Sequence, residues 1–173
     1  YLEIASKEDL PFVFETPTWR LNHDWSYRLG YTEDEQMALN KESVSLMREI
    51  QRAFRQPEGL VSGCIGPRGD GYQSVSVMTP TEAACYHHAQ IKAFAEADAD
   101  VVSALTMTNL PEAVGITLAA RKFKVPVVIS FTLETDGKLP DGSTLENAIL
   151  ENDAQTCNYV THYMINCAHP THF

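Results

Sequence analysis

A chain of 173 residues that is 44% apolar can build one hydrophobic core, and its formal charge of -10 and isoelectric point near 4.9 argue against nucleic acid or an anionic membrane surface as partner. Small molecules are the expected ligands. No run of about 18 apolar residues exists to cross a membrane, and the opening Tyr1-Leu2-Glu3-Ile4-Ala5-Ser6-Lys7-Glu8 lacks the basic start and apolar middle of a secretion signal, which places the chain in the cytoplasm. The cysteines Cys64, Cys85, Cys157 and Cys167 form no CxxC pair, so reduced thiols are expected. Cys85, inside a helical pattern, and Cys157, in a polar turn, read as packing or incidental residues.

Residues Tyr1 to Asp9 read as the end of a helix, and Pro11-Phe12-Val13-Phe14 as a short buried strand. Glu15-Thr16-Pro17-Thr18-Trp19-Arg20 follows as an irregular polar and aromatic loop. Thr32 with Glu35 forms a capping box for a helix whose buried stripe is Val44, Met47, Ile50 and Phe54 and which Pro57 and Gly59 end. The strand Leu60–Ile65 leads into Gly66-Pro67-Arg68-Gly69-Asp70-Gly71-Tyr72, which is glycine-rich but has neither the order nor the Lys-Ser/Thr ending of a phosphate-binding loop. A second capping box, Thr79-Pro80-Thr81-Glu82, opens a helix to about Asp98. Its His87 and His88 point about 100° apart and suit surface or packing roles rather than a shared metal. Asp100 to Met107 is the next strand, Asn109 with Glu112 opens a helix ending near Lys124, and Pro126 to Thr132 is a β-branched strand bounded by proline. Ser143 with Glu146 opens a helix to about Asp153. The last strand runs from Tyr159 to Asn166-Cys167, with a thiol at its carboxyl end.

Strand, loop and capped helix thus repeat four times, with a helix tail in front and a bare strand behind. Such alternation specifies a parallel sheet clothed in helices. Long, Gly- and Thr-rich loops after the strands favour a (β/α)8 TIM barrel over a doubly wound open sheet, and the carboxyl ends of the strands are where such a barrel keeps its chemistry. Five strands cannot close that barrel, which needs about 250 residues, so the chain is expected to be an internal piece, residues 1–173 forming a single partial barrel domain. Two open sheet edges imply association, for instance into homo-oligomers, unless further strands cover them.

Particular stretches resemble the homocysteine S-methyltransferase family, the zinc-dependent barrels that include betaine-homocysteine methyltransferase. They are Phe14 to Trp19, Ser62 to Tyr72, Asn109-Leu110-Pro111-Glu112-Ala113, Val128 to Thr132 and Ile165-Asn166-Cys167, in the family's order and spacing across nearly the whole chain. The resemblance implies barrel strands two to six. It also implies that Cys167 is the first of three zinc cysteines, the other two belonging to a Gly-Gly-Cys-Cys segment absent here. By their position on the carboxyl-end face Thr16 and Asn166 are expected substrate contacts, with Glu15, at the end of an earlier strand, as the carboxylate that could engage an ammonium group, and His169 and His172 are expected at the pocket rim rather than on the metal. The implied reaction is methyl transfer to homocysteine from a sulfonium such as S-methylmethionine or S-adenosylmethionine, or from betaine or methylcobalamin in other branches, giving methionine. Trp19, Trp25 and Tyr72 pack the loops or enclose a sulfonium through cation-π attraction.

One departure shapes the alternatives. Where the family carries Glu-Thr at the end of its fourth strand, this chain reads Leu105-Thr106-Met107-Thr108. A methyltransferase for a different thiol or selenol is therefore one alternative, and a non-catalytic small-molecule-binding barrel is another. With two thiolates absent, these residues alone are expected neither to hold zinc tightly nor to turn over substrate.

Overall fold

A computed structural model of the chain describes residues 1–54, 59–74 and 77–172; Pro57, the expected helix stop, lies outside them. Helix α1 (Leu2–Lys7) precedes strand β1 (Val13–Glu15), and a short helix α2 (His23–Arg28) stands in the loop before helix α3 (Glu33–Ala53). There follow β2 (Leu60–Ile65), α4 (Pro80–Glu96), β3 (Val101–Met107), α5 (Leu110–Phe123), β4 (Val127–Phe131), α6 (Leu145–Thr156) and β5 (Val160–Ile165), closed by a single 3-10 turn at Pro170–His172. No helix among the described residues is long and apolar enough to cross a membrane.

The helices begin where side chains can satisfy their free N–H groups. Thr32 Oγ1 accepts from Glu35 N at 3.3 Å while Glu35 Oε2 accepts from Thr32 N at 2.8 Å, and Thr79 and Glu82 repeat the exchange at the same distances. Asn109 caps α5 through Glu112 N at 2.9 Å, but the Glu112 side chain turns inward instead of completing a box. The cap of α6 is Thr144 rather than the expected Ser143, because Asp141 takes both the amide and the hydroxyl of Ser143. In α3, Val44 is fully buried and Met47 and Ile50 pack against the core, but Phe54, just past the helix end, is 43% exposed. The expected stripe is therefore one residue too long.

All five strands are parallel and pair in the order β1-β2-β3-β4-β5. A doubly wound sheet must reverse its strand order to carry helices on both faces. The order here never reverses, and α3, α4, α5 and α6 pack side by side over one face. Phe14, Val61, Val102, Ile129 and Phe131 on that face meet Ile91, Phe94 and Ile116 of the helices in one core. The opposite face presents Val13, Glu15, Leu60, Ser103, Val128 and Met164, which line an open cavity of about 350 Å³. This is part of a (β/α)8 barrel, with helices outside and the inner wall uncovered.

Candidate active site

The chemistry-bearing residues gather at the carboxyl ends of the strands. Asn166 N makes the last rung of the β4–β5 ladder, donating to Phe131 O at 3.1 Å, and Cys167 then turns with φ +56°. The Cys167 side chain is exposed. Its Sγ accepts from Asn166 Nδ2 at 3.2 Å. Tyr72, from the loop after β2, comes near this sulfur, and its pKa is raised, first by hydrogen bonding toward Cys167 and then by the charge there.

Asn166 does more than neighbour the thiol. Its Oδ1 accepts from Thr106 N at 2.9 Å and from Ser130 Oγ at 2.7 Å, and its Nδ2 donates to Thr106 Oγ1 at 2.7 Å. One side chain thereby ties the ends of β3, β4 and β5. Thr106 is buried with φ +66°, a conformation that costs a β-branched residue about 1–2 kcal/mol, and it sits where the β3–β4 register shifts between Ala104 and Met107.

The β1 side is fastened separately. Thr16 is buried, shares a 2.7 Å hydrogen bond with Thr18 Oγ1, and accepts from Cys64 N at 2.8 Å, while Thr18 donates to Cys64 O at 2.8 Å. The Thr16 hydroxyl is thus committed to the chain. Trp19 donates through Nε1 to Leu105 O at 3.1 Å and lies flat against Gly66, where a Cβ would stand 2.6 Å from Trp19 O and 2.7 Å from the indole. Arg20 stacks on that indole at 4.2 Å and donates to Pro67 O and Gly69 O. Trp25 sits instead on α2, under Arg28 at 5.1 Å.

Glu15 lies on the inner wall. Much of its side chain meets solvent, yet the carboxyl is desolvated against the sheet, which raises its pKa although the Ser103 and Ser62 hydroxyls partly offset the effect. Burial, with the charge of Glu15 second, pushes the Cys64 thiol up to about 12. Cys64 is thus an inert packing residue rather than a nucleophile.

Two features were not signalled by the sequence. One is the Asn166–Thr106–Ser130 knot. The other is a buried pair, His87 Nε2 and Glu112 Oε1 at 2.9 Å, in which Glu112 also accepts from Arg68 N at 2.7 Å and so anchors the loop that carries Tyr72.

Cys167 offers one thiol donor at an open strand end, fitting one corner of a zinc tetrahedron. Among the described residues no three His, Cys, Asp or Glu side chains converge to hold a metal ion. His169 bonds Thr171 at 2.9 Å, and its ring lies 6.0 Å from that of His172. The stretch fits as the supplier of one ligand rather than as a whole site.

The solved structures that share this architecture include the homocysteine methyltransferase MmuM from Escherichia coli. Its metallated form aligns with TM-score 0.83 at 21% identity, covering 98% of this chain and 62% of that one. The oxidised form gives 0.81 at 22% identity (96% and 60%), and the apo form 0.74 at 22% identity (98% and 61%). The chain therefore spans less than two thirds of the length of the solved relatives it matches. No match to a curated protein was found. The family profile described as homocysteine S-methyltransferase matches residues 4–173, from α1 through the knot around Asn166 and past Cys167. With nearly every residue of the chain inside that match, the chain belongs to the homocysteine S-methyltransferase family.

Proposed function

We propose that the protein is a zinc-dependent S-methyltransferase of the cytoplasm that moves a methyl group from a sulfonium or other activated donor to the thiol of homocysteine, giving methionine. The observation that carries this reading is the exposed Cys167 thiol, held at the carboxyl end of β5 by Asn166 inside a family match that spans the chain. In the reaction a new S–CH3 bond forms on the acceptor sulfur, the donor's bond to that methyl group (S–CH3 in a sulfonium) breaks with its electron pair left on the donor, and the acceptor's thiol proton goes to solvent. Zinc, when bound, supplies the charge that keeps an acceptor thiol deprotonated at neutral pH.

The chain's own residues divide the remaining work. Cys167 is the zinc ligand of this stretch, and further cysteine ligands come from sequence outside it, so these residues alone neither hold zinc tightly nor turn over. Glu15 faces the substrate, and Thr16 and Asn166 stand behind it with their polar atoms spent on the chain. Glu15 offers a carboxylate to the amino acid's ammonium group, while Thr16 and Asn166 hold the strand ends that frame the acceptor. Tyr72, exposed near Cys167, offers aromatic surface suited to a sulfonium, whereas the Trp19 indole already carries Arg20 and packs the loops.

A second reading has its own observation. Leu105 stands at the end of β3 with its carbonyl taken by Trp19, and no acidic side chain follows it through Thr108. A different thiol or selenol acceptor fits that gap. The test is calorimetry and turnover on the full-length protein, loaded with zinc and offered homocysteine, smaller thiols or a selenol. Zinc-dependent homocysteine binding with methionine formation, both lost in Cys167→Ser, is expected. Full zinc content and turnover in Cys167→Ser would sink the reading, and turnover of another thiol in preference to homocysteine would install the second.

A further inference from the structure

We propose that Asn166 is a positioning residue that acts through Cys167 and Thr106 and makes no contact with substrate; this rests on the reading of Cys167 as the working thiol. Its amide orientation is fixed by chemistry. Thr106 N is a donor and requires the Asn166 oxygen, at 2.9 Å, so the NH2 group must face Thr106 Oγ1 at 2.7 Å and Cys167 Sγ at 3.2 Å. With Ser130 Oγ also on Oδ1 at 2.7 Å, both protons and two acceptor sites of the amide are spent on the protein. Little capacity remains for a ligand.

The two residues it grips both sit in the left-handed region, Thr106 at φ +66° and Cys167 at φ +56°. Neither is glycine, so each conformation persists only where neighbours impose it. Asn166 holds Thr106 from both sides, through its amide nitrogen and its hydroxyl. Through its N–H it also aims the sulfur of the adjacent turn. A donor pointed at a thiolate orients the lone pairs left for bonding, the role that outer groups play around metal-binding side chains generally.

The experiment uses the full-length protein and separates these links. Asn166→Asp keeps both acceptor contacts of Oδ1 and can still receive the Thr106 hydroxyl, but it replaces the N–H aimed at Cys167 with a carboxylate oxygen that repels the sulfur instead of orienting it. Zinc affinity by chelator competition and kcat should each fall about 10- to 100-fold, while KM for the thiol stays within about threefold. Thr106→Val should weaken zinc binding in the same direction, and Thr106→Ser, which restores the hydroxyl, should bind as the unaltered protein does.

A raised KM with unchanged kcat in Asn166→Asp would make Asn166 a substrate contact and overturn the inference. So would zinc affinity equal to the unaltered protein's in both Asn166→Asp and Thr106→Val. If Asn166→Asp fails to fold, the Thr106→Val and Thr106→Ser contrast decides alone. If the unaltered protein binds no zinc or methylates no thiol, the proposed function fails instead. The metal-free crystal structure of Asn166→Asp then still tests positioning, with a shifted Cys167 side chain expected and an unmoved one overturning it.

Discussion

Glu15 keeps its carboxyl desolvated against the sheet wall, and the sign of the consequence can be worked out. Its folded pKa lies above the unfolded value, so in the window between the two the native state binds the extra proton and stability falls as pH rises. The penalty is complete above the folded pKa and absent below the ordinary carboxylate range. Glu15→Gln should therefore raise the melting temperature of the full-length protein at pH 7–8 and leave it unchanged near pH 4, as thermal melts across pH would record; a gain of equal size at both ends would mean that charge is not the cause. At this scale the sequence placed Asn166 and Cys167 at the carboxyl end of the last strand, because a strand end is a place that can be counted to. It did not disclose their partners. Thr106 meets Asn166 across sixty residues, and Thr16 meets Cys64 across forty-eight, through strand register that no local pattern encodes.

Helices were the most legible elements because their caps are local chemistry: a Thr or Asn and the backbone N–H three residues on. Thr32, Thr79 and Asn109 all cap as expected. Where a competing hydrogen bond intrudes, as Asp141 does at Ser143, the boundary moves by one residue. Helix α2 was missed because six residues are too few to display an apolar period, although Asn22 caps it by accepting from Trp25 N at 3.2 Å. The packing between α4 and α5 depends on a feature that no cap reveals. A Cβ on Gly115 would stand 2.5 Å from Ala83 Cβ and 2.6 Å from Pro80 O, so the helices approach closely only because that atom is missing. Gly115→Ala gains helix propensity of about 1 kcal/mol, but overpacking costs about 1–3 kcal/mol. The clash is with backbone and with an adjacent Cβ rather than with a flexible tip, so destabilisation should win. A melting temperature lowered by a few degrees would bear this out, and a raised one would show that the helices can part at no cost. By contrast, Thr79→Ala should cost about 1 kcal/mol through the lost cap alone, with the packing untouched.

Across the whole molecule, the uncovered inner wall governs behaviour. Val13 and Leu60 are each 48% exposed and Met164 is 44% exposed on a face that, with Val101 and Val128, lines the open cavity. The unpaired edges of β1 and β5 flank that face. Fully burying an exposed side chain of this kind yields about 1.5–3 kcal/mol and these are about half exposed, so covering each gains about 1 kcal/mol, and residues 1–173 produced on their own should associate through this wall. The charge of -10 opposes association, since every copy repels every other. Salt shortens the reach of that repulsion to about 10 Å at 0.1 M and leaves the apolar attraction intact. Light scattering after size exclusion should therefore show mass rising with concentration and with ionic strength, opposite to what an assembly held by salt bridges would do. Met164→Glu places a charge of the chain's own sign on the wall's edge strand β5 without touching the helical core, and it should shift the population toward monomer, most strongly at low salt. A monomer that persists at high salt and high concentration, before any substitution, would mean that the inner wall closes on itself and that the open half-barrel is not the form these residues keep in solution.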